Sequence, residues 1–310
     1  MESGGRRLQR PVVFRTVNAR PAELVLDLKA SLGEGAIWNP MTRSLCFVDI
    51  VGRRVFDFDP ARGTHRSFET PEMVGTVVPR RGGGLMLAMI RGLARVDAGD
   101  NEVRFVASPD GHDPSLCRFN DGKCDPQGRL WAGTMSLSSI RRAGALYCFA
   151  EGARPRRALT EVSVSNGLAW SLDGRSFYYI DSPTRRVDAF SFEPESGELG
   201  GRRTAIEFPP GIDMPDGSTI DSEGMLWIAH WDGGCVSRWD PGTGRELGRV
   251  AVPAPKVTSC AFGGEGLDTL FITSARIDMT PEQLTRAPLS GGLFACTPGV
   301  TGIPAFCYAG

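Results

Sequence analysis

The sequence predicts an all-β fold, a six-bladed β-propeller with a metal site at its centre. One pattern of short apolar runs occurs six times along the 310 residues. The copies are spaced by about 45 residues, which is the period typical of a four-stranded propeller blade. Oxygen-bearing side chains also recur at one phase of the pattern, so they are predicted to meet near the central axis.

Each repeat contains two runs that are rich in β-branched and aromatic residues and bounded by Gly, Asp, Asn or Pro. Turns such as DPQGR before Leu130 and DSEGM before Leu226 carry the Asp and Gly that tight hairpins require. The repeats are therefore predicted to be antiparallel meanders of strands. The paired runs are LCFVDI and VFDF, LMLAMI and LARV, LWAGTM and ALYCF, FYYID and VDAFSF, LWIAHW and CVSRW, and LFITSA and LFAC.

The domain organisation follows from the extent of the repeats. We interpret residues 21–310 as a single propeller domain and residues 1–20 as a partly flexible N-terminal extension. A linear β-solenoid would have much shorter units, so a closed ring is favoured. The LVLDLKA segment at Leu24 is predicted to supply a strand to the last blade, because closing the ring this way protects exposed strand edges.

Composition limits the possible partners. The chain has 35 basic and 36 acidic residues and an isoelectric point near 6.3, with no large cluster of Lys and Arg, which argues against nucleic acid. No apolar stretch approaches the ~18 residues of a membrane-spanning helix, and the N-terminus lacks the apolar run of a signal peptide. We expect a cytoplasmic protein with no membrane or nucleic-acid partner, as a monomer or weak homo-oligomer.

The cysteines and histidines carry no metal or disulfide motif. Eight cysteines are scattered singly, without a C-x-x-C pair, and are predicted to be small buried hydrophobic residues. Only three histidines occur, and their spacing matches no zinc motif. A His-based zinc site is therefore excluded.

The residue just before the first strand of each repeat is the signal for a metal site. Four of the six carry side-chain oxygens that hard cations prefer. An E-G, D-G or N-G pair is also a common turn signal, but convergence on one axis would bring together carboxylates that repel one another without a cation. The six residues are Glu34, Val74, Asp121, Asn166, Asp216 and Ser259.

Glu34, Asn166 and Asp216, with waters completing the shell, form the predicted site. Two long turns, residues 136–144 and 276–292, are expected on the same face, and the second contains the helix-like TPEQLTR. We interpret them either as walls or a lid over a small pocket or as tolerated surface insertions.

Four long motifs, in order, resemble the SMP-30/gluconolactonase family, which includes regucalcin-like proteins and bacterial sugar lactonases. The resemblance covers nearly the whole chain from about residue 22 onward, and VTSCAFGG in the sixth repeat fits it as well. The motifs are LGEGAIWNP at Leu32, RFNDGKCDPQGRLWAGTM at Arg118, SNGLAWSLDG at Ser165, and PDGSTIDSEGMLWIAHWDGG at Pro215.

The resemblance implies a six-bladed propeller that uses one divalent cation to hydrolyse an aldonolactone of the gluconolactone, galactonolactone, arabinonolactone or xylonolactone type. The family's metal ligands correspond to Glu34, Asn166 and Asp216, and Asp216 is also assigned to proton transfer. The family's substrate-contacting Arg and Asn correspond to Arg118 and Asn120. The cation implied is Ca²⁺, Zn²⁺, Mn²⁺, Mg²⁺ or Fe²⁺.

One position departs from the family pattern and bears on the substrate. Where the family carries a glutamate after G-T-M, this chain has Ser138, a shorter and neutral side chain. Arg118, Asn120, Asp121 and Ser138 are predicted to bind a small polyhydroxylated sugar lactone, and Asp121 is a second candidate for the general base.

Two other functions stay open on the sequence alone. The first is a non-enzymatic calcium-binding propeller whose ion only ties the blades together. The second is an esterase or phosphotriesterase on the same scaffold, whose pocket should be apolar.

Overall fold

The computed structural model describes residues 20–211 and 213–310. Within them, 24 strands form six four-stranded sheets, and the first strands of successive sheets contact one another around a closed ring. The predicted six-bladed β-propeller is therefore confirmed. Almost all of the predicted N-terminal extension, residues 1–20, lies outside the described residues, and the boundary at residue 21 stays a prediction.

The first three blades are antiparallel meanders in which each strand pairs with the next one in the chain. Their first strands are almost entirely buried, whereas their fourth strands are mostly exposed or half-buried, so each sheet runs from the axis outward. A short strand, β1 (Glu23–Leu26), precedes them. The strands are β2 (Gly33–Asn39), β3 (Ser44–Asp49), β4 (Arg54–Asp59) and β5 (Thr64–Glu69) in blade one; β6 (Val74–Pro79), β7 (Leu85–Met89), β8 (Leu93–Val96) and β9 (Arg104–Ala107) in blade two; and β10 (Cys117–Cys124), β11 (Leu130–Ser136), β12 (Gly144–Phe149) and β13 (Arg156–Val162) in blade three.

The other three blades repeat this arrangement, with one short helix, α1 (Pro281–Arg286), and a 3-10 turn at Ser182–Thr184 between strands. Among the residues that the structure describes, no helix has the length and apolar character needed to cross a membrane. The strands are β14 (Ser165–Trp170), β15 (Ser176–Asp181), β16 (Arg186–Phe192) and β17 (Leu199–Glu207) in blade four; β18 (Met214–Ile220), β19 (Leu226–Trp231), β20 (Cys235–Asp240) and β21 (Arg245–Ala251) in blade five; and β22 (Val257–Gly263), β23 (Thr269–Ser274) and β24 (Leu293–Cys296) in blade six.

The sixth blade is completed by the beginning of the chain. Strand β1 pairs antiparallel with β24, so Glu23 lies opposite Ala295 and the sheet order is β1-β24-β23-β22. This confirms the prediction that LVLDLKA closes the ring. The pairing occupies the outer edge of β24, which would otherwise present unpaired backbone groups.

The hairpins of blades three and five are held by the same arrangement of side chains. Asp125 accepts hydrogen bonds from the backbone amides of its turn and from the Trp131 indole, at 2.9 Å. Asp221 does the same in blade five, with the indole of Trp227 at 2.9 Å. Both indoles are fully buried, and burying a large apolar side chain contributes roughly 1.5–3 kcal/mol. The Asp of each turn therefore fixes the hairpin and satisfies a buried N–H at once.

The cysteines fill space between the blades. All eight are free; six are buried and two, Cys296 and Cys307, are half-buried. The prediction that they serve as small hydrophobic residues is consistent with this, since Cys46, Cys124 and Cys260 lie inside apolar clusters.

Candidate metal centre and active site

A cavity of about 330 Å³ opens at one mouth of the propeller axis. Blades one, three, four, five and six supply the side chains around it. Glu34, Arg118, Asn120, Asn166 and Asp216 come from the innermost strands β2, β10, β14 and β18. The structure therefore brings together the three predicted metal ligands and the two residues of the R-x-N motif.

The strand register breaks once in every innermost strand, close to these side chains. In β2 the irregularity lies between Glu34 and Ile37, and in β18 it lies between Pro215 and Ser218. Such bulges re-aim a side chain relative to the regular alternation of a strand. We predicted that the site residues precede the first strands, and this was wrong: they lie within them, because residues on both sides of the break still pair with the second strand.

The glycines that follow the site residues allow the inner strands to approach one another. A Cβ on Gly167 would lie 2.9 Å from the carbonyl oxygen of Asp216, and one on Gly217 would lie 2.8 Å from that of Thr258. Real Cβ atoms do not come that close to backbone oxygen, so only glycine fits where the strands crowd the axis. The E-G, N-G and D-G pairs are therefore part of the strands that line the axis and are not hairpin turns.

A chain of hydrogen bonds crosses the floor of the cavity from blade three to blade five. Arg118 Nη1 donates to Asn120 Oδ1 at 2.7 Å, and Asn120 Nδ2 donates to Asn166 Oδ1 at 2.8 Å. Asn166 Nδ2 then donates to Ser182 Oγ at 2.8 Å, and Ser182 Oγ donates to Pro215 O at 2.6 Å. These bonds hold both the oxygen and the nitrogen of the Asn166 amide and connect it, through Ser182, to the backbone of Pro215, the residue before Asp216.

The two carboxyl groups on the floor lack compensation for their charge. Burial, followed by the charge of Asp121, raises the pKa of Glu34 to about 8. Burial also raises the pKa of Asp216 well above its ordinary value, with Glu34 adding to the effect. Arg118 opposes both shifts, and its own pKa is lowered to about 10 by burial. One guanidinium therefore does not balance the acidic groups around it.

The donor set fits a hard divalent cation. Asp216 Oδ1 is buried and has no hydrogen-bond partner among the described residues, which ordinarily costs about 1–3 kcal/mol. Within residues 20–211 and 213–310, no group of three or more His, Cys, Asp or Glu side chains is arranged to hold a metal. Asn166 also lines the cavity, and its Oδ1 accepts one hydrogen bond and keeps a second lone pair for a cation.

Two predicted substrate contacts do not lie on this cavity. The described residues that line it include neither Asp121 nor Ser138. In blade three the register breaks between Phe119 and Gly122, and Asn120 instead of Asp121 reaches the cavity. Asp121 accepts a 2.7 Å hydrogen bond from the Gly122 amide. Burial raises the pKa of Asp121, and the charge of Lys123 opposes this rise only in part.

The loop after β11 places the neighbouring serine at the cavity. Ser138 is exposed, and its backbone amide donates to Ser136 Oγ at 3.1 Å, which turns the chain. Ser139 follows in the left-handed region, with φ of 57°, and lines the cavity. Position 139 is therefore the better candidate for a substrate contact from this loop.

The two long turns form walls of the cavity. Ser139 comes from the first, and Ile277 and Asp278 come from the second, ahead of helix α1. The helix confirms the prediction for TPEQLTR; Thr280 caps it by accepting from the Gln283 amide. Of the two interpretations of these turns, walls of a pocket is the one that the structure supports.

Sequence reasoning missed Ser182 and the apolar part of the cavity. Ser182 follows β15 directly and was not distinguished from other polar loop residues. Leu32, Val164 and Met214 each precede a floor residue by two positions. Because residues i and i+2 face the same side of a strand, the two-residue spacing was a usable signal.

The comparison with known sequences decides the family. The model of the SMP-30/Gluconolactonase/LRE-like region matches residues 32–276, which include every cavity residue up to Trp231. The chain belongs to this family. The predicted resemblance is therefore confirmed.

Members of the family with curated names match nearly the whole chain. Regucalcin of Danio rerio is 41% identical over 291 residues, which cover 93% of this chain and 98% of that protein. The Bacillus subtilis (strain 168) protein YvrE, proposed to be a sugar lactone lactonase, is 36% identical and covers 93% of this chain and 99% of its own length. A crystal structure of a calcium-binding regucalcin from Agrobacterium tumefaciens superposes with a TM-score of 0.89 at 26% identity, covering 94% of this chain and 99% of that one.

Proposed function

We propose that this protein is a metal-dependent lactonase that hydrolyses an aldonolactone to the sugar acid. The observation that carries the proposal is the partnerless, buried Asp216 Oδ1 beside a second desolvated carboxyl group, Glu34, at the floor of a solvent-open cavity. The membership of this chain in the SMP-30/Gluconolactonase/LRE-like family supports the same reaction class.

Glu34, Asn166 and Asp216 would hold the divalent cation. Three protein ligands leave coordination positions free, which is typical of a catalytic site and not of a purely structural one. When bound, the cation supplies Lewis acidity that polarises the lactone carbonyl and stabilises the negative charge formed on its oxygen.

Arg118 is proposed to orient the substrate. Its Nη1 donates to the carbonyl of Phe119 and to Asn120 Oδ1, and these bonds hold the guanidinium in place. The N–H groups of Nε and Nη2 can then donate to a ligand. A guanidinium held in this way gives a sugar oxygen a directional, charge-assisted hydrogen bond.

Asp216 is proposed to accept the proton of the attacking water. A carboxylate has two oxygens, so one can serve the cation while the other accepts the proton. Burial favours protonation of Asp216, which makes its ionised form a stronger base than an exposed carboxylate. The water oxygen then bonds to the carbonyl carbon, the ring C–O bond breaks, and the ring oxygen leaves with the proton that Asp216 accepted.

Metal depletion and substrate profiling test the proposal together. Protein stripped with EDTA should lose hydrolysis of D-glucono-1,5-lactone and of D-galactono-, L-arabinono- and D-xylono-1,4-lactone, measured as proton release above the spontaneous rate. Return of Ca²⁺, Zn²⁺, Mn²⁺, Mg²⁺ or Fe²⁺, each in turn, identifies the cation that restores it.

Three results would contradict the proposal in different ways. Cation binding without turnover of any ester would favour a calcium-binding propeller, the other function suggested by the name of the Agrobacterium protein. Turnover of p-nitrophenyl acetate or paraoxon with none of the lactones would favour an esterase or phosphotriesterase. Full lactonase activity of metal-free protein would exclude the role given to Glu34, Asn166 and Asp216.

A further inference from the structure

The walls of the cavity differ from its floor in polarity. Leu32, Val164 and Met214 each lie two residues before Glu34, Asn166 and Asp216 respectively, and all six line the cavity. Two residues along a strand advance it by about 6.6 Å with the side chain on the same face. The polar floor therefore has an apolar collar, formed by Leu32, Val164 and Met214, above it on three of the blades.

The loops extend this apolar collar. Met135, Trp231 and Ile277 also line the cavity. The Trp231 ring is fixed by the ammonium of Lys256, which lies 4.2 Å from the ring centroid. A ligand that reaches the floor must pass or rest against these apolar side chains.

The amide and hydroxyl groups on the floor already hydrogen-bond to protein atoms. Both N–H groups of Asn120 are used, since Nδ2 donates to Ser165 O at 2.9 Å and to Asn166 Oδ1 at 2.8 Å. The Ser182 hydroxyl donates to Pro215 O and accepts from Asn166 Nδ2. For the hydroxyls of a ligand, the cavity keeps mainly the free donors of Arg118 and the side chains of Ser139 and Asp278.

A fully hydroxylated sugar lactone is a poor match for this surface. A hydroxyl that is stripped of water and left against an apolar wall loses hydrogen bonds that the protein does not replace. An apolar group in the same place loses nothing and gains burial. The cavity has a polar floor and an apolar collar. It therefore favours a lactone that is polar at its reacting end and apolar at the opposite end.

We propose that the site selects sugar lactones that lack a hydroxyl at the end remote from the carbonyl, that is, deoxy- or alkyl-substituted lactones, over their fully hydroxylated counterparts. This proposal rests on the proposed lactonase function and narrows its substrate class. The apolar collar receives the methyl or alkyl end while the lactone carbonyl lies at the floor near Asp216.

Matched pairs that differ by one oxygen atom test the proposal. L-fucono-1,4-lactone is 6-deoxy-L-galactono-1,4-lactone, and L-rhamnono-1,4-lactone is 6-deoxy-L-mannono-1,4-lactone. The kcat/KM of the metal-loaded protein should be about tenfold to a hundredfold higher for the deoxy member of each pair, the range typical of a hydrophobic pocket that meets an added hydroxyl. Equal values, or higher values for the hydroxylated members, would overturn the proposal.

Two near-isosteric variants locate the preference in the apolar collar. Val164→Thr and Met214→Gln each place a polar group above the floor, so each should reduce the deoxy preference several-fold while the bound metal per chain stays unchanged. Val106→Thr, the same change as the first at an exposed position of β9, is the matched control and should leave the preference intact.

The outcomes separate this proposal from the proposed function. If both variants fold, bind metal and keep the wild-type preference, the collar does not set specificity and the inference is wrong. If all four lactones are hydrolysed with the hydroxylated members preferred, the selectivity fails and the lactonase function stands. If no lactone is hydrolysed with any of the five cations, both proposals fall.

Discussion

His230 Nδ1 lies 2.9 Å from Asp213 Oδ2, and this contact ties the second strand of blade five to the segment that leads into Asp216. On the other side of the ring, Nε2 lies 2.6 Å from Ser237 Oγ, which also accepts from Trp239 Nε1 at 2.6 Å. Because an ionised carboxylate only accepts, the N–H of the neutral imidazole lies at Nδ1 and donates to Asp213, and the serine hydroxyl donates to Nε2.

The fully buried Ser237 makes this Asp–His–Ser row a brace and not a catalytic triad. A nucleophilic serine must reach a substrate, and Ser237 has no exposed surface. The row instead fixes the entry to β18, where Pro215 pairs with His230. The position of the Asp216 carboxyl therefore depends on an imidazole outside the cavity.

Acidification should destabilise the protein through His230. Burial lowers the pKa of His230 in the folded protein, against opposing effects of Asp213, so the unfolded chain binds this proton first as the pH falls below about 6.5. Stability from the neutral imidazole is therefore present above that pH and is lost below it. The melting temperature of wild type should fall more between pH 7.5 and 5.5 than that of His230→Gln.

The exposed His65 provides the control for this measurement. His65→Gln should keep the wild-type dependence of melting temperature on pH. At pH 7.5, His230→Gln should cost about 1–3 kcal/mol because it disrupts a buried hydrogen-bond row. Parallel pH profiles for wild type and His230→Gln would show that the imidazole does not control acid stability.

Neutralising Glu34 should have opposite effects on the metal-free and metal-loaded protein. The folded metal-free protein holds the Glu34 pKa near 8, above its ordinary value of 4.5, so its stability decreases as the pH rises from 4.5 to 8. Glu34→Gln removes this penalty and should raise the melting temperature of EDTA-treated protein at pH 8.5. The same variant should bind the cation more than about 100-fold more weakly, since it loses a ligand and not merely a group that orients one.

Differential scanning calorimetry with and without the cation measures both effects. Glu265→Gln, an identical change at an exposed residue, should alter neither. A Glu34→Gln variant that is less stable than wild type without metal would contradict the view that Glu34 is a desolvated, uncompensated acid.

Ser182→Ala should weaken metal binding without touching a predicted ligand. Its hydroxyl joins the Asn166 amide to the backbone before Asp216, so the variant frees both to reorient. Loss of a group that orients a ligand typically costs 10–100-fold in metal affinity. Titration calorimetry checks this, with Ser108→Ala at an exposed position as the control; unchanged affinity would show that Asn166 is held by other contacts.

Arg118→Ala should damage substrate use while the cation stays bound. Removing one charge-assisted hydrogen bond of about 1.5–3 kcal/mol predicts a decrease of roughly tenfold to 150-fold in kcat/KM. Metal content measured by mass spectrometry should match that of wild type and of the exposed-site control Arg154→Ala. Failure of the variant to fold would instead indicate that Arg118 acts mainly by holding Asn120, which donates to Ser165 O and Asn166 Oδ1 of the next blade.

The sequence allowed the ring and most of the floor to be predicted, because repeats place equivalent residues at equivalent positions. Glu34, Asn166 and Asp216 were identified from a shared phase, and they line one cavity. The assignment shifted by one residue in blade three, where Asn120 occupies the place expected for Asp121. A one-residue bulge does not change the composition of a strand, so its exact position could not be predicted from the sequence.

Contacts that depend on the path of a loop, or on a hydrogen bond to a distant part of the chain, were the least predictable. Ser138 and Ser139 are chemically identical, and only the turn set by Ser136 decides which one faces the cavity. Ser182 acts through a hydrogen bond to a residue 33 positions away, which local pattern does not reveal. The apolar collar follows strand alternation and was within reach of sequence reasoning.

The seam between β1 and β24 constrains how the protein is made. The two strands are separated by about 270 residues, so the last sheet is incomplete until the ribosome has released nearly the whole chain. Long-range pairings of this kind slow folding. Until β24 is available, the backbone groups of β1 are unpaired and can pair with a strand of a neighbouring nascent chain. Production yield should therefore depend on temperature and chaperone supply during synthesis more than on the stability of the finished ring.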